Sequence, residues 1–67
     1  MMTLADFRAT NEHKQVYYEC DFGCDYETAT EANERVLESW EESGAIVTDA
    51  YEVGDILYVE CKVIMAD

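Results

Sequence analysis

Carboxylates are the residues with most chemistry to offer in this chain: sixteen Asp and Glu stand against four Lys and Arg, a net charge of −12 on 67 residues. Glu27, Glu31, Glu34, Glu38, Glu41 and Glu42 recur largely at three- and four-residue steps with only Arg35 among them, so a helix here lines its carboxylates along one face. Like charges at that spacing cost a helix roughly 0.2–0.5 kcal/mol per pair, and a face that weakens its own helix invites a use outside the fold. An extended negative surface attracts proteins that otherwise grip nucleic acid. General acid catalysis is a poorer use of the same groups, because it needs a carboxyl held in a water-poor pocket and a chain this short builds only a thin core. There is one His, no Ser/His/Asp or Cys/His arrangement, and three isolated glycines in place of a phosphate-binding loop. No enzymatic activity and no cofactor are expected.

Cys20 and Cys24 could ligate a metal. Tyr18-Glu19-Cys20-Asp21-Phe22-Gly23-Cys24-Asp25-Tyr26-Glu27-Thr28, followed by a helix, resembles the opening of a Cys/His zinc finger, in which a hairpin knuckle supplies two thiolates and the helix two histidines. The helix here has no His, Trp40 stands where a ligand belongs, and four ligands require Cys20, Cys24, His13 and Cys61 to meet. The expectation is no metal, with a zinc module at Cys20 and Cys24 as the alternative. Three cysteines, an odd count, behind a start without a cationic head or long apolar run argue against a disulfide framework and for the cytoplasm.

A charge this negative excludes mechanisms that neutralise phosphates with Lys and Arg, so direct binding to DNA, RNA or an anionic membrane is not expected. Nearly half of the residues are apolar, which separates the chain from acidic disordered tails and predicts one folded domain over residues 1–67. The acids could alternatively form a hydration coat for a structural or regulatory module working in high salt.

The elements that must position these groups follow from periodicity. Thr28-Ala29-Thr30-Glu31 has the form of a capping box, Ala29, Ala32, Val36, Leu37 and Trp40 form an apolar stripe, and Gly44 is a natural stop, so a helix is expected from about Ala29 to Ser43. Ile56 to Met65 alternates as a strand with Leu57, Val59, Cys61, Val63 and Met65 on one side. Ala45 to Val53 precedes it through a Gly54-Asp55 hairpin loop. Counting from that loop pairs Val53 with Ile56, Tyr51 with Tyr58, Asp49 with Glu60 and Val47 with Lys62 on an outer face. Ala50 with Val59, Thr48 with Cys61 and Ile46 with Val63 then lie under the helix. Gln15 to Phe22 reads as a further strand, broken by Gly23. Leu4 to Thr10 is read as a strand hairpinned to it through Asn11-Glu12-His13-Lys14, the other option being a short helix capped by Thr3. The fold class is α+β, an antiparallel sheet of three or four strands with one helix packed on one face.

The order hairpin, helix, hairpin resembles that of small acidic phage-encoded inhibitors, of the anti-CRISPR and host RNA polymerase inhibitor types. The likeness rests on Glu27-Thr28-Ala29-Thr30-Glu31-Ala32, then Gly44-Ala45-Ile46-Val47 and Val53-Gly54-Asp55-Ile56-Leu57. It implies a stoichiometric, noncatalytic binder that blocks a host nucleic-acid-handling machine. The expected partner is a basic host protein or nucleoprotein complex, met by Glu31, Glu34, Glu38, Glu41 and Glu42 on the helix and by Asp49, Tyr51, Tyr58 and Glu60 on the sheet. The outer sheet face would equally serve a homodimer.

Overall fold

The computed structural model describes residues 1–12 and 15–64. Its elements are β1 (Met2–Thr3), α1 (Leu4–Thr10), β2 (Val16–Asp21), β3 (Tyr26–Thr30), α2 (Glu34–Glu42), β4 (Ile46–Val53) and β5 (Ile56–Lys62). The fold is α+β, with two helices among the described residues where one was expected. The strands form one five-stranded sheet in the order β1-β4-β5-β2-β3, in place of three or four antiparallel strands. Neighbours are antiparallel except β5 and β2, which run parallel and make the sheet mixed.

Strand alternation decides which face is covered. Val16, Tyr18 and Cys20 of β2 and Leu57, Val59 and Cys61 of β5 are all buried, and Val63 continues the row. Leu4 of α1 and Leu37 and Trp40 of α2 close over them, with Phe7, Phe22 and Val47 half-buried at the margin. The Phe7 ring meets Tyr18 edge-on at 6.4 Å, and Phe22 meets Trp40 at 6.2 Å. Both helices therefore pack on one face, and the other is left open.

The N-terminal segment is a helix, not the expected strand. Leu4, Phe7 and Arg8 turn inward at three- and four-residue steps, and the Thr3 side chain accepts from the Asp6 N–H at 3.1 Å as its N-cap. Without that strand, β2 pairs with β3. The Asp21 carboxylate accepts from Gly23 N–H at 2.7 Å in the connecting turn, and Gly23 takes φ +97°, as its role of breaker requires.

The capping box at Thr28–Glu31 does not form either. Tyr26 to Thr30 extends beside β2, which places Ala29 opposite Tyr18 in the core, and α2 begins five residues later than expected, at Glu34. Asn33 closes the turn between them, its Oδ1 accepting from Thr30 N–H at 2.9 Å. Of the expected stripe, Leu37 and Trp40 are buried on α2, while Ala32 and Val36 are exposed. The order hairpin, helix, hairpin is present, with β2–β3 as its first hairpin and Glu27–Thr30 in a strand.

The β4–β5 hairpin follows the expected register from Val53–Ile56 through Tyr51–Tyr58 to Asp49–Glu60. A bulge at Thr48 then shifts it by one: Val47 lies opposite Cys61 and Ile46 opposite Lys62, not Lys62 and Val63. The Thr48 hydroxyl donates to the Glu60 carbonyl at 3.1 Å. The shift carries Val47 to the core margin and Ile46 to the open face. The expected strand end at Met65, and the loop positions His13 and Lys14, lie outside the described residues. No helix among the described residues is long and apolar enough to cross a membrane.

At the end of α2, Gly44 N–H donates to the Glu41 carbonyl and Ala45 N–H to that of Trp40, each at 3.0 Å, with Gly44 at φ +81°. A Cβ there meets no neighbour but must adopt a left-handed conformation. Gly44→Ala should therefore lower stability by about 1 kcal/mol with the fold retained, read as a shifted urea midpoint.

Candidate functional site

The open face of the sheet carries two rows of side chains across strands β4, β5 and β2. Antiparallel pairing sets Tyr51 beside Tyr58 and Asp49 beside Glu60, and parallel pairing sets Tyr17 beside Tyr58 and Glu19 beside Glu60. Three tyrosines thus lie abreast, and three carboxylates lie abreast one step along the strands. The Tyr51 and Tyr58 rings stack at 5.6 Å with planes 13° apart, and Tyr17 meets Tyr58 edge-on at 5.7 Å. Tyr51 and Tyr17 remain 46% and 37% exposed. Between the rows is a shallow depression lined by Tyr17, Glu19, Tyr51, Tyr58, Val59 and Glu60. Like charges side by side on adjacent strands are destabilising. Both ion pairs among the described residues are made by Arg8 on the other face. Lys62 lies one step beyond the carboxylate row, beside Asp21.

The helical carboxylates do not form the continuous strip expected of them. Glu31 is in the turn before α2, where its carboxylate accepts from the Tyr18 hydroxyl and pairs with Arg8 at 3.7 Å. Glu41 turns inward and accepts from Arg8 Nη1. Glu27, on β3, accepts from Trp40 Nε1 at 3.1 Å. Three acids of the expected face therefore bind the molecule's own donors, and Glu34, Glu38 and Glu42 remain as an exposed row at four-residue steps. That row is on the side of the molecule opposite the open sheet face.

Arg8 joins α1 to the turn before α2 and to α2 itself. Burial disfavours its charge, yet the hydrogen bond and charge of Glu41, then the charge of Glu31, outweigh this and hold the guanidinium above its ordinary pKa. Its Nε is buried without a hydrogen-bond partner among the described residues, so the two carboxylates carry the compensation. Burial, with the hydrogen bond and charge of Glu31, likewise pushes the Tyr18 phenol up, keeping it a donor.

The cysteines are separated by the fold. Cys20 and Cys61 are buried register neighbours under the helices, whereas Cys24 is exposed in the β2–β3 turn. Among the described residues no three His, Cys, Asp or Glu side chains converge to hold a metal, and His13 lies outside them.

Of the residues read from the sequence, Asp49, Tyr51, Tyr58 and Glu60 are brought together; Glu34, Glu38 and Glu42 stay exposed elsewhere, and Glu31 and Glu41 are used internally. Glu19, a member of the carboxylate row, was missed, although the alternation of Val16, Tyr18 and Cys20 already turns it outward with Tyr17. No protein family, curated protein or solved structure matches this chain.

Arg8→Leu removes the cation between two carboxylates and should cost about 1–3 kcal/mol, more than Tyr18→Phe at about 1 kcal/mol; urea denaturation of both variants checks the order. Burial, with the charges of Glu27 and Asp21, pushes the Cys20 thiol up to about 11, and burial beside Cys20 pushes Cys61 up to about 12. Native protein near neutral pH should therefore alkylate at Cys24 alone, and at all three cysteines once unfolded. Both folded thiols hold protons that the unfolded chain releases from their ordinary value of 9.0 upward, so the stability they contribute is complete below that pH. It is lost progressively toward about 11 and 12, which urea midpoints across that range will read.

Proposed function

We propose that this protein is a noncatalytic binding module that occupies a basic, nucleic-acid-binding groove of a partner protein or nucleoprotein complex and so competes with the nucleic acid. The observation that carries this reading is the open sheet face, where Asp49, Glu60 and Glu19 lie abreast beside Tyr51, Tyr58 and Tyr17. Counting Asp21, four carboxylates among the described residues share that face with one ammonium, that of Lys62. Lys and Arg lining a groove for phosphates meet a carboxylate row with the same sign of attraction, while the tyrosines supply the buried aromatic area on which binding energy concentrates.

The exposed row of Glu34, Glu38 and Glu42 adds to the long-range field that draws a basic partner in. A single flat contact cannot use that row together with the sheet face, because the two point in opposite directions. The sheet face is the better contact surface, since it joins charge to aromatic area. An inhibitor of this kind needs no catalytic group, and its stoichiometry with the partner is one of binding, not turnover.

The test is affinity for a captured partner as a function of ionic strength, with a nucleic-acid competitor. Raising salt from about 0.05 to 0.5 M should weaken binding by roughly tenfold or more, as screening shortens the Debye length. The competitor should displace the protein. Affinity indifferent to salt, or simultaneous binding of protein and nucleic acid, would overturn the proposal.

A further inference from the structure

We infer that the depression between the tyrosine and carboxylate rows is an arginine-binding site, taking a guanidinium of the partner in preference to a lysine ammonium. The inference rests on the proposed function and names the side chain through which it acts. The depression, about 240 Å³, is lined by Tyr17, Tyr51 and Tyr58 of the tyrosine row and by Glu19 and Glu60 of the carboxylate row. A guanidinium is planar, stacks on aromatic rings and donates in a fork that fits carboxylates two bonds at a time. An ammonium is a hydrated point charge that gains less from either margin.

The hydrogen-bonding state of the carboxylates fits the same occupant. One oxygen of Asp49 already accepts from the Ala50 N–H at 2.9 Å. The Glu19 and Glu60 carboxylates, half-buried and adjacent across the parallel pair, have no hydrogen bond or ion pair among the described residues. A cation between them converts a repulsive pair into a clamp, and the partly exposed Tyr17 and Tyr51 rings beside it offer aromatic surface for a planar cation. A nucleic-acid base would also stack on the tyrosines, but its phosphates would meet the carboxylate row. Among the described residues, a second copy of the chain would bring four carboxylates against four with one lysine on each side, so charge complementarity favours an arginine-bearing partner segment over self-association.

The test titrates the folded protein, at low salt, with a glycine-arginine peptide and a glycine-lysine peptide of equal length and charge, by calorimetry and amide chemical shifts. The arginine peptide should bind roughly three- to tenfold more tightly and shift the amides of Tyr17, Glu19, Tyr58 and Glu60. Glu19→Gln with Glu60→Gln should weaken it by roughly tenfold without loss of fold, whereas Glu34→Gln, Glu38→Gln and Glu42→Gln together should weaken both peptides alike through the shared field, by less than the sheet variant, and leave their ratio unchanged. Tyr58→Leu, which keeps an apolar strand residue, should bring the arginine-to-lysine ratio close to about one. Equal affinity for the two peptides, or loss of binding in the α2 variant but not the sheet variant, would overturn the arginine site and leave the acidic-binder reading standing. A concentration-dependent dimer that buries these amides would assign the face to a second copy and overturn it too. Binding of neither peptide would remove both the site and the reading on which it rests.

Discussion

The parallel pairing of β2 with β5 is the interaction on which the rest of the molecule depends. Each strand is apolar on alternate residues, and setting them in register joins two short buried rows into one apolar floor: Val16 beside Leu57, Tyr18 beside Val59, Cys20 beside Cys61. Neither hairpin could support two helices alone, since an isolated two-stranded ribbon is marginal in water. The same pairing aligns the opposite face, where Tyr17 meets Tyr58 and Glu19 meets Glu60. Core and candidate contact surface are two sides of one register. A slip by one residue would turn the carboxylates inward and the core row out.

The acids divide into two populations. Glu27, Glu31 and Glu41 act within the molecule, accepting from Trp40, Tyr18 and Arg8 where the helices meet the sheet. Their lone pairs satisfy donors that packing would otherwise leave buried and unpaired. The other described acids are exposed or half-buried and dominate the external field. Net charge alone does not distinguish these uses, and the surface available to a partner is correspondingly narrower than sixteen acids suggest.

Local signals were legible in the sequence, and long-range ones were not. The Gly54-Asp55 loop fixes its hairpin by counting, so Asp49, Tyr51, Tyr58 and Glu60 could be grouped correctly. Gly44 and the Leu37–Trp40 spacing likewise located the end and inner side of α2. Thr28-Ala29-Thr30-Glu31 fits a helix start and a strand end equally well in local terms, and the outcome was decided by the open edge of β2 and by Tyr18 and Arg8 claiming Glu31. No local pattern announces a parallel partner 41 residues along the chain, so Glu19 was not grouped with Glu60. Nor does any glycine or proline mark the bulge at Thr48.

That bulge has a bearing on the edge of the sheet. β1 covers β4 only at Ile46 and Val47, and the ladder becomes irregular at the next residue, where the covering strand stops. An incoming strand from another molecule would find a straight run of donors and acceptors only beyond the bulge, from Asp49 to Val53, and would meet there the charges of Asp49 and Glu52. The irregularity that re-aims Val47 toward the core thereby also shortens the border along which another copy could pair, and the two acids on the remaining stretch repel their counterparts.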